Sequence, residues 1–399
     1  MINDRILIVG AGPVGLSAAT YLISKGIPVS IFEAESSLPK NLRASTFHPS
    51  TLDLLEPYGA SESLINQGIV APKFQFRDLK NGCLAEFDFG LIADETNHPY
   101  RVQCEQFKLN KYLERWLQDK GGDRIHFDHR ITNLKQDVEG VRIYAKTPEG
   151  EKMYSGRWLI GADGANSIVR KLSSISFEGF TWTERFLVIS TKFKFEKVLT
   201  DLSSVNYFAD PVLWFFLLRV PGLWRVMFPF QNYEKTSFKF TKDQMEMKLK
   251  WVYPKGKNFD ICHTTLYNVH QRVASAYRKN RIFLAGDSAH INNPLGGMGM
   301  NGGIHDAFNL AEKLAAVWHN KQSEIFLDFY EKQRRAVALE YVNKKSIKNK
   351  KNLEAKKPEE QKKFRSFLMD LMQSDAKTKD YLMEVSMLSS LKNDKKLEF

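Results

Sequence analysis

The hydrophobic positions near the start of the chain form two apolar runs separated by a segment with helical spacing. The first run is ILIVG, the helical segment is LSAATYLISKG, and the second run is PVSIFEAE. A continuous apolar run is typical of a parallel strand that is covered on both faces, and Gly26 is a typical helix stop. The pattern predicts a strand–helix–strand unit that begins a doubly wound α/β sheet.

The middle of the chain predicts shorter elements. Residues 42–69 have helical spacing with polar interruptions, and residues 72–89 alternate like a hairpin with a break at Lys80-Asn81-Gly82. An amphipathic helix follows in EQFKLNKYLERWLQDKG. A series of short strands with glycine turns then extends to the segment LIGADG.

Residues 177–265 differ in character from what precedes them, because aromatic and β-branched residues dominate. This composition favours an antiparallel sheet that forms a second layer. The apolar run RIFLAGD then returns the chain to the first layer, and helical patterns finish it. We therefore predict a discontinuous α/β domain, an inserted β-sheet substrate domain and a C-terminal helical segment, with the bounds 1–71 with 100–176 and 266–345, 72–99 with 177–265, and 346–399.

Composition and charge narrow the functional classes. The 399 residues are 43% hydrophobic, and Cys83, Cys104 and Cys262 lie too far apart to predict a disulfide framework, which indicates a reducing cytoplasm. The net charge of +12 is concentrated in a lysine-rich C-terminal region whose lysines alternate with glutamates, a pattern of a solvated helix face rather than of nucleic-acid binding. No apolar run approaches the length of about 20 residues that a membrane helix needs.

The first strand ends in a glycine-rich turn that opens a helix. Gly10, Gly12 and Gly15 have the spacing GxGxxG, and Glu33 ends the next strand. Such glycines permit a tight turn and a close approach of a pyrophosphate to the helix N-terminus, and the acidic residue can bind ribose hydroxyls. The unit predicts dinucleotide binding, but it does not distinguish NAD from FAD. The residues of this predicted site are Gly10, Gly12, Pro13, Val14, Gly15, Glu33 and Ala34.

Two later turns decide between the cofactors. One is LIGADGANSIVRKL, with Asp163, and the other is GDSAHINNPLGGMGMNGG, which begins at Gly286. The three turns, in this order and spacing, resemble those of the FAD-dependent aromatic hydroxylases, single-component flavoprotein monooxygenases similar to p-hydroxybenzoate hydroxylase. The resemblance covers most of residues 1–345.

The resemblance implies roles for the last turn at the reactive end of FAD. Asp287 would accept a hydrogen bond from the ribityl chain. The segment from Pro294 would meet the isoalloxazine ring, and the N-terminus of the following helix would stabilise the anionic reduced flavin. The residues implied to contact FAD here are Gly286, Asp287, Pro294, Gly297, Gly299, Met300 and Asn301.

The resemblance assigns further residues to the cofactors. It places Arg43 near the pyrophosphate and Gln106 near the phosphate and ribityl region, with Gln103 as an alternative to Gln106. It ascribes FAD and NAD(P)H handling to Asp163, for which a helix-capping role is an alternative. Arg170 would contact a nicotinamide phosphate or lie exposed on a helix.

Two positions of the last turn need separate comment. Met298 stands where many members of the family have Gln, and a thioether cannot replace the hydrogen bonds of an amide. We expect His290 to order the exit from the strand rather than to act in catalysis. His48 and His305 have no metal-ligand spacing with acidic residues, so we predict no metal site.

The sequence contains no motif for the substrate. Pocket candidates are Pro294 and, from the aromatic sheet, Tyr207, Trp214 and Arg219. Arginines in an aromatic stretch either extend to solvent or bind an anion, so Arg219 or Arg225 is a candidate for a substrate carboxylate.

The reaction implied by the resemblance needs no protein nucleophile. FAD, reduced by NADH or NADPH, would react with O₂ to give a C4a-hydroperoxide, and one oxygen atom would pass to a phenolic or heteroaromatic small molecule. A flavin dehydrogenase or reductase without oxygen insertion, or a redox-inert FAD-binding protein, is the alternative. The chain would act as a monomer or a homodimer.

Overall fold

A computed structural model describes residues 4–40, 44–121, 125–231, 241–355 and 357–396. The strands in these ranges are, in chain order, β1 (Ile6–Val9), β2 (Val29–Phe32), β3 (Thr46–Phe47), β4 (Ile69–Ala71), β5 (Lys73–Asp78), β6 (Gly82–Asp88), β7 (Arg101–Gln103), β8 (Ile125–His126), β9 (Arg130–Gln136), β10 (Val141–Thr147), β11 (Gly150–Gly156), β12 (Trp158–Gly161), β13 (Phe177–Thr191), β14 (Val205–Phe208), β15 (Phe215–Val220), β16 (Leu223–Gln231), β17 (Ile261–Ala274), β18 (Arg278–Lys279), β19 (Ile282–Leu284) and β20 (His290–Ile291).

The α-helices of the described ranges are α1 (Pro13–Ser24), α2 (Pro49–Leu55), α3 (Ala60–Gln67), α4 (Gln106–Asp119), α5 (Ile168–Leu172), α6 (Lys242–Val252), α7 (Met298–Trp318), α8 (Asp328–Val337), α9 (Lys344–Leu353), α10 (Pro358–Met372), α11 (Asp375–Val385) and α12 (Leu388–Lys396). Helices α8 and α9 are joined by a π-helix, Ala338–Asn343. Within these ranges, no helix has both the length and the apolar character that crossing a bilayer requires.

The first layer is a six-stranded sheet in the order β18-β19-β12-β1-β2-β8. Strands β19, β12, β1, β2 and β8 are parallel, and β18 is antiparallel to β19. All four residues of β1 are buried, as the continuous apolar run predicted. Helices α1 and α7 pack against each other beside this sheet. The predicted strand–helix–strand unit and the doubly wound α/β architecture are confirmed.

The second layer is an eight-stranded sheet in the order β20-β17-β13-β16-β15-β14-β5-β6. Its strand pairs are antiparallel except for β14 and β5, which are parallel, and the antiparallel sheet predicted for residues 177–265 is confirmed. The predicted hairpin is β5 and β6. Strand β17 runs across residue 265, so the large sheet includes residues beyond the predicted boundary. Helix α6 also lies within this region and was not predicted.

The C-terminal helices pack on the hairpin end of the large sheet. Phe364 of α10 and Leu382 of α11 belong to one buried cluster with Phe74 and Phe87 of the hairpin. The apolar spacing of these helices is therefore explained by burial against the sheet, and the lysines between the apolar positions are mostly exposed. Helices α10 and α11, for which the sequence indicates no function, therefore pack against the large sheet as part of its hydrophobic core.

Candidate active site

The three glycine-rich turns lie side by side because they follow neighbouring parallel strands. Strands β19, β12 and β1 are adjacent, and Val9 is paired with Gly161, which is paired with Leu284. Carboxyl ends of parallel strands meet at one edge of a sheet, where α/β folds bind ligands. The turns after Val9, Gly161 and Leu284 therefore form one continuous edge, although they are far apart in the sequence.

The first turn is shaped by close backbone contacts. Gly10 has a φ of +105°, and a Cβ there would lie 2.4 Å from the carbonyl oxygen of Ala162. A Cβ at Gly15 would lie 2.0 Å from the carbonyl oxygen of Gly10. Gly12 differs, because a Cβ there would meet no protein atom within 4 Å. Gly10 and Gly15 are thus required by packing, whereas the space in front of Gly12 is open to a ligand.

Glu33 lies at the end of β2 and contacts this turn. Its Oε2 accepts a hydrogen bond from the Ala11 backbone N–H at 3.0 Å, and its Oε1 accepts one from the Glu35 N–H at 3.1 Å. Each carboxylate oxygen retains a further lone pair. Glu33 therefore holds the glycine turn and can still accept hydrogen bonds from ribose hydroxyls.

Asp163 in the second turn has the capping role that was the alternative prediction. Its Oδ1 accepts a hydrogen bond from Ser167 Oγ at 2.5 Å, and its Oδ2 accepts bonds from the N–H groups of Ile168 and Val169. Burial raises the pKa of the Asp163 carboxyl against these hydrogen bonds. Its contacts in the structure are those of a cap for the start of α5.

Arg170 is not the exposed helix residue of the alternative prediction. The side chain is only 5% exposed, and its guanidinium donates hydrogen bonds of 2.8 Å to the carbonyl oxygens of Ser288 and Ala165. Its guanidinium carbon also lies 3.9 Å from the ring centre of Phe177. Arg170 therefore joins the second turn to the third and is not exposed, and its contact with a nicotinamide phosphate stays a prediction.

The third turn is anchored by a buried charged group. The Gly286 N–H donates to Asp306 Oδ2 at 3.0 Å, and the same oxygen lies 2.8 Å from Nε2 of His290. Asp306 also accepts a 2.6 Å bond from Arg334, which donates to Asp394 of α12. His290 is thus held by a carboxylate and orders the turn. Asp287, between the anchored residues, points to an exposed position.

The segment before α7 contains two glycines with left-handed backbone conformations. Gly296 and Gly297 have φ values of +88° and +67°, and Gly297 immediately precedes the first residue of the helix. The amide of Asn301 donates to the carbonyl oxygens of Thr46 and Gly297, and its oxygen accepts from the N–H of His48. The Asn301 side chain therefore fixes the segment to β3, and its backbone remains the part that a flavin can meet.

Gln103 and Gln106, the two glutamines predicted to contact FAD, differ in burial and in hydrogen bonding. Gln103 is fully buried, its Oε1 accepts a hydrogen bond from Thr46, and its Nε2 has no hydrogen-bond partner among the described residues. Gln106 is half-buried at the first position of α4, where its N–H donates to the Ala44 carbonyl. Buried polar groups normally have a hydrogen-bond partner, so the unpaired Nε2 of Gln103 is a better candidate than Gln106 to donate to an acceptor on the cofactor. Arg43 lies outside the described residues.

These features fit FAD as the bound group. The open space at Gly12 suits a pyrophosphate at the N-terminus of α1, and Glu33 suits the adenosine ribose. Asp287, which is exposed, suits the ribityl chain, and the backbone of Gly296 and Gly297 before the N-terminus of α7 suits the edge of a flat ring system. Gln103 supplies the unpaired donor described above. The edge of the sheet thus offers contacts along the length of one extended cofactor.

A cavity lies between this edge and the large sheet. It encloses about 40 Å³ and is lined from the sheet, from the segment before α7, from β7 and from the C-terminal helices α9 and α11. Tyr207, a pocket candidate, lines it, and so does the side chain of Met298, which is 4% exposed. The position at which the sequence departs from the family therefore faces the cavity. The lining residues that the sequence did not indicate include Phe74, Phe76, Arg101, Lys345, Asn349 and Tyr381.

Two other pocket candidates, Trp214 and Arg219, are not among the residues that line this cavity. Trp214 is buried and packs against the rings of Phe186 and Phe216. Arg219 is exposed, with Nη2 3.6 Å from Glu196, so its predicted role in the pocket was wrong. Arg225 is buried and donates to Ser45 Oγ at 3.0 Å. Pro294 directly precedes the lining residue Leu295.

A small acidic group with one histidine lies at a separate place on the surface. One ligand atom from each of Asp53, Glu56 and His98 falls within 4.8 Å of the others. His98 Nδ1 lies 2.7 Å from Asp53 Oδ1, and Glu56 accepts a bond from Asn97. The three residues thus have protein partners, and the expectation that the protein holds no metal stays a prediction.

Comparison with known proteins identifies the family. The family profile described as FAD binding domain matches residues 4–345. The chain belongs to this FAD-binding family. It is 32% identical over 351 residues to para-nitrophenol 4-monooxygenase of Pseudomonas sp. (strain WBC-3), covering 87% of this chain and 86% of that protein. It is 30% identical over 363 residues to 6-hydroxy-3-succinoylpyridine 3-monooxygenase HspB of Pseudomonas putida (strain DSM 28022 / S16), covering 90% and 91%.

Solved structures of the family have the same fold. The crystal structure of p-nitrophenol 4-monooxygenase PnpA from Pseudomonas putida DLL-E4 matches with a TM-score of 0.88 and 27% identity, covering 96% of this chain and 98% of that one. A complex of aklavinone-11 hydroxylase with FAD and aklavinone matches with a TM-score of 0.76 and 26% identity, covering 88% and 69%. The protein is therefore an FAD-dependent monooxygenase of the aromatic hydroxylase class.

Proposed function

We propose that the chain hydroxylates a small phenolic or heteroaromatic compound held in the cavity between the large sheet and the segment before α7. The observation that carries the proposal is a shared wall. Leu295, Gly296 and Met298 line the cavity, and they belong to the turn whose glycines suit the flavin ring. A substrate in the cavity would therefore lie beside the reactive end of the cofactor, as oxygen transfer requires.

The chain's contribution to the chemistry is electrostatic and positional. When bound, FAD reduced by NADH or NADPH activates O₂ for transfer of one oxygen atom to an electron-rich ring. The N-terminus of α7, starting at Met298, carries positive potential and unpaired N–H groups, which stabilise negative charge on a reduced ring system. No side chain is required as a nucleophile.

The cavity walls select the kind of substrate. Rings of Phe74, Phe76, Tyr207 and Tyr381 surround the space, which favours a flat aromatic guest. Helices α9 and α11 contribute part of the cavity wall, which would limit the access of bulk water to the reaction.

The relatives provide independent support for a single-ring substrate. One is named for para-nitrophenol and another for a hydroxylated pyridine, and both match over most of their length. We also infer a reducing cytoplasmic setting, O₂ as co-substrate, a monomer or homodimer, and an FAD-binding part formed by the six-stranded sheet with a substrate part formed by the eight-stranded sheet.

The proposal is tested by measuring NADH and NADPH oxidation, oxygen consumption and product mass with a panel of phenols and hydroxypyridines. Consumption of one O₂ per NAD(P)H, with a product heavier by one oxygen atom, supports it. Peroxide release that no compound in the panel alters, or reduction without oxygen uptake, would favour a reductase. No flavin release on denaturation would favour neither enzyme and would remove the basis of the proposal.

A further inference from the structure

Arg101 is a buried cation on the wall of the cavity. It begins β7, is 2% exposed, and lies over the rings of Phe74 and Phe89, with its guanidinium carbon 4.6 Å and 5.2 Å from the two ring centres. Its Nη1 donates to the Tyr207 hydroxyl oxygen at 3.3 Å. Its Nε has no hydrogen-bond partner among the described residues. A buried guanidinium is costly to leave without a counter-charge.

The acidic residue of the cavity is already paired with a different cation. Glu384 forms an ion pair with Lys345, and both residues line the cavity. Across the described part of the chain, Arg101 makes no ion pair with a carboxylate within 4.0 Å. The positive charge of Arg101 is therefore not balanced by a side chain.

Tyr207 extends this site toward the space in the cavity. Its hydroxyl oxygen accepts from Arg101, so its O–H is left to donate, and no acceptor for it is found within the described ranges. Two donors, one of them cationic, thus converge on a space walled by aromatic rings. Such a pair binds an anionic oxygen more strongly than a neutral one.

We propose that Arg101 and Tyr207 bind an ionised oxygen carried by the aromatic ring of the substrate, which makes them specificity-determining residues for a phenolate or a ring carboxylate. The proposal rests on the proposed function, because it assigns the substrate class of that cavity. Arg101 would donate to the anionic oxygen through its guanidinium, and Tyr207 would donate through its hydroxyl. The ring itself would pack between Phe74, Phe76 and Tyr381.

Ligand binding to the oxidised holoenzyme tests this without turnover. Dissociation constants are measured from the change in flavin absorbance for para-nitrophenolate, its neutral methyl ether para-nitroanisole, and benzoate, for the unaltered protein and for R101Q, R101K and Y207F. We expect the unaltered protein to bind one of the two anions about tenfold to a hundredfold more tightly than the ether, the range of a charge-assisted hydrogen bond. Preference for nitrophenolate would identify a phenolate site, and preference for benzoate a carboxylate site.

The variants separate a specific contact from a general effect. R101Q should lose the preference, R101K should keep part of it, and Y207F should lower it while retaining the charge. R219Q is the control, because Arg219 is an exposed arginine on the eight-stranded sheet that also carries Tyr207, it is paired with Glu196, and it does not line the cavity. If R101Q does not retain flavin, the anion preference of Y207F and R101K still tests the proposal.

The proposal would be overturned by an ether bound as tightly as both anions, or by an R101Q or Y207F holoenzyme with the preference intact. Because no step of the assay requires oxygen transfer, a protein that binds anions but does not hydroxylate them would contradict the proposed function alone. A protein that hydroxylates neutral rings without an anion preference would contradict only the assignment of Arg101 and Tyr207.

Discussion

The Cα of Gly10 packs against the carbonyl oxygen of Ala162, which joins the first glycine turn to the second across adjacent strand ends. An added Cβ at Gly10 would lie 2.4 Å from that oxygen, and the φ of +105° disfavours any other residue. Gly12, two positions later, has an extended backbone and faces open space. The same motif thus contains a glycine that packing requires, Gly10, and another, Gly12, that packing does not require.

This difference predicts opposite outcomes for two similar substitutions. Gly10→Ala should lower the melting temperature of the apoprotein, because the backbone must shift. Gly12→Ala should leave the apoprotein melting temperature nearly unchanged and weaken FAD binding by about tenfold or more, because the new methyl group occupies the space of the pyrophosphate. Calorimetry of the apoprotein and FAD titration measure the two effects. Equal FAD affinity in Gly12→Ala would contradict the placement of the cofactor.

Arg170 should matter for stability and not for the nicotinamide cofactor. Arg170→Gln removes the donors to the carbonyl oxygens of Ser288 and Ala165 and leaves both inside the fold. We expect a loss on the order of 1–3 kcal/mol in the free energy of unfolding. Urea unfolding measures this loss, and steady-state kinetics should show an unchanged KM for NADH and NADPH. A raised KM with unchanged stability would restore the nicotinamide role.

Substitution of Asp306, which lies in α7 and anchors the third turn, should strongly lower the stability of the protein. Asp306→Asn leaves Arg334 with one carboxylate instead of two and weakens the anchor of Gly286 and His290, so we expect a loss of about 3–5 kcal/mol in the free energy of unfolding. Asp394→Asn, which removes only the outer pair with Arg334, is the comparison and should cost less. The two losses are compared by urea unfolding. An equal loss in both variants would show that the contacts of Asp306 with Gly286 and His290 add nothing to stability.

The loss of stability at low pH should depend on the protonation of the Asp306 carboxylate. Burial alone would raise the pKa of Asp306, but the nearby charges of His290 and Arg334 and their hydrogen bonds lower it to about 2. Because this pKa lies below the ordinary value of 3.8, the carboxylate contributes stability above about pH 4, and this contribution disappears as the pH falls toward 2. The difference in unfolding free energy between the unaltered protein and Asp306→Asn should shrink across this window. A constant difference down to pH 2 would contradict the assignment.

Met298 should affect the substrate more than the cofactor. Met298→Gln replaces an apolar part of the cavity wall by an amide and so changes the polarity that a bound ring meets, and KM for the aromatic substrate should change several-fold. Met298→Leu keeps the wall apolar and should leave KM within about twofold. Flavin content and absorbance should be unchanged in both. Loss of flavin in Met298→Gln alone would show that the side chain faces the cofactor.

The parts of the fold that follow from local pattern were predictable from sequence. The strand–helix–strand unit, the hairpin of β5 and β6, and helix α4 each have a hydrophobic period that only one element satisfies. The cofactor edge was also predictable, because three glycine turns after buried strands imply adjacent strand ends. Helix α6 was missed, since it lies among aromatic residues that favour strands.

The cavity was less predictable, because it depends on which distant elements meet. Arg101 lies in a three-residue strand without any motif, and its significance comes from Tyr207, which is 106 residues away. Alternation along a strand shows that Tyr207 and Arg219 face one side or the other, but not which neighbour covers each side. Tyr207 lines the cavity and Arg219 does not, a difference that alternation alone could not predict. The role of Arg170 likewise depends on the contact between two turns that are separated in the chain.

The most direct test of the account is turnover with isotopically labelled dioxygen. The purified flavoprotein is supplied with NADPH or NADH and with an acidic phenol, and the product is analysed by mass spectrometry. We predict that one labelled oxygen atom enters the ring from dioxygen, and that labelled water gives none. An aromatic product whose new oxygen comes from water, or NAD(P)H oxidation that leaves every phenol unchanged, would contradict the assignment of this cavity to flavin-dependent hydroxylation.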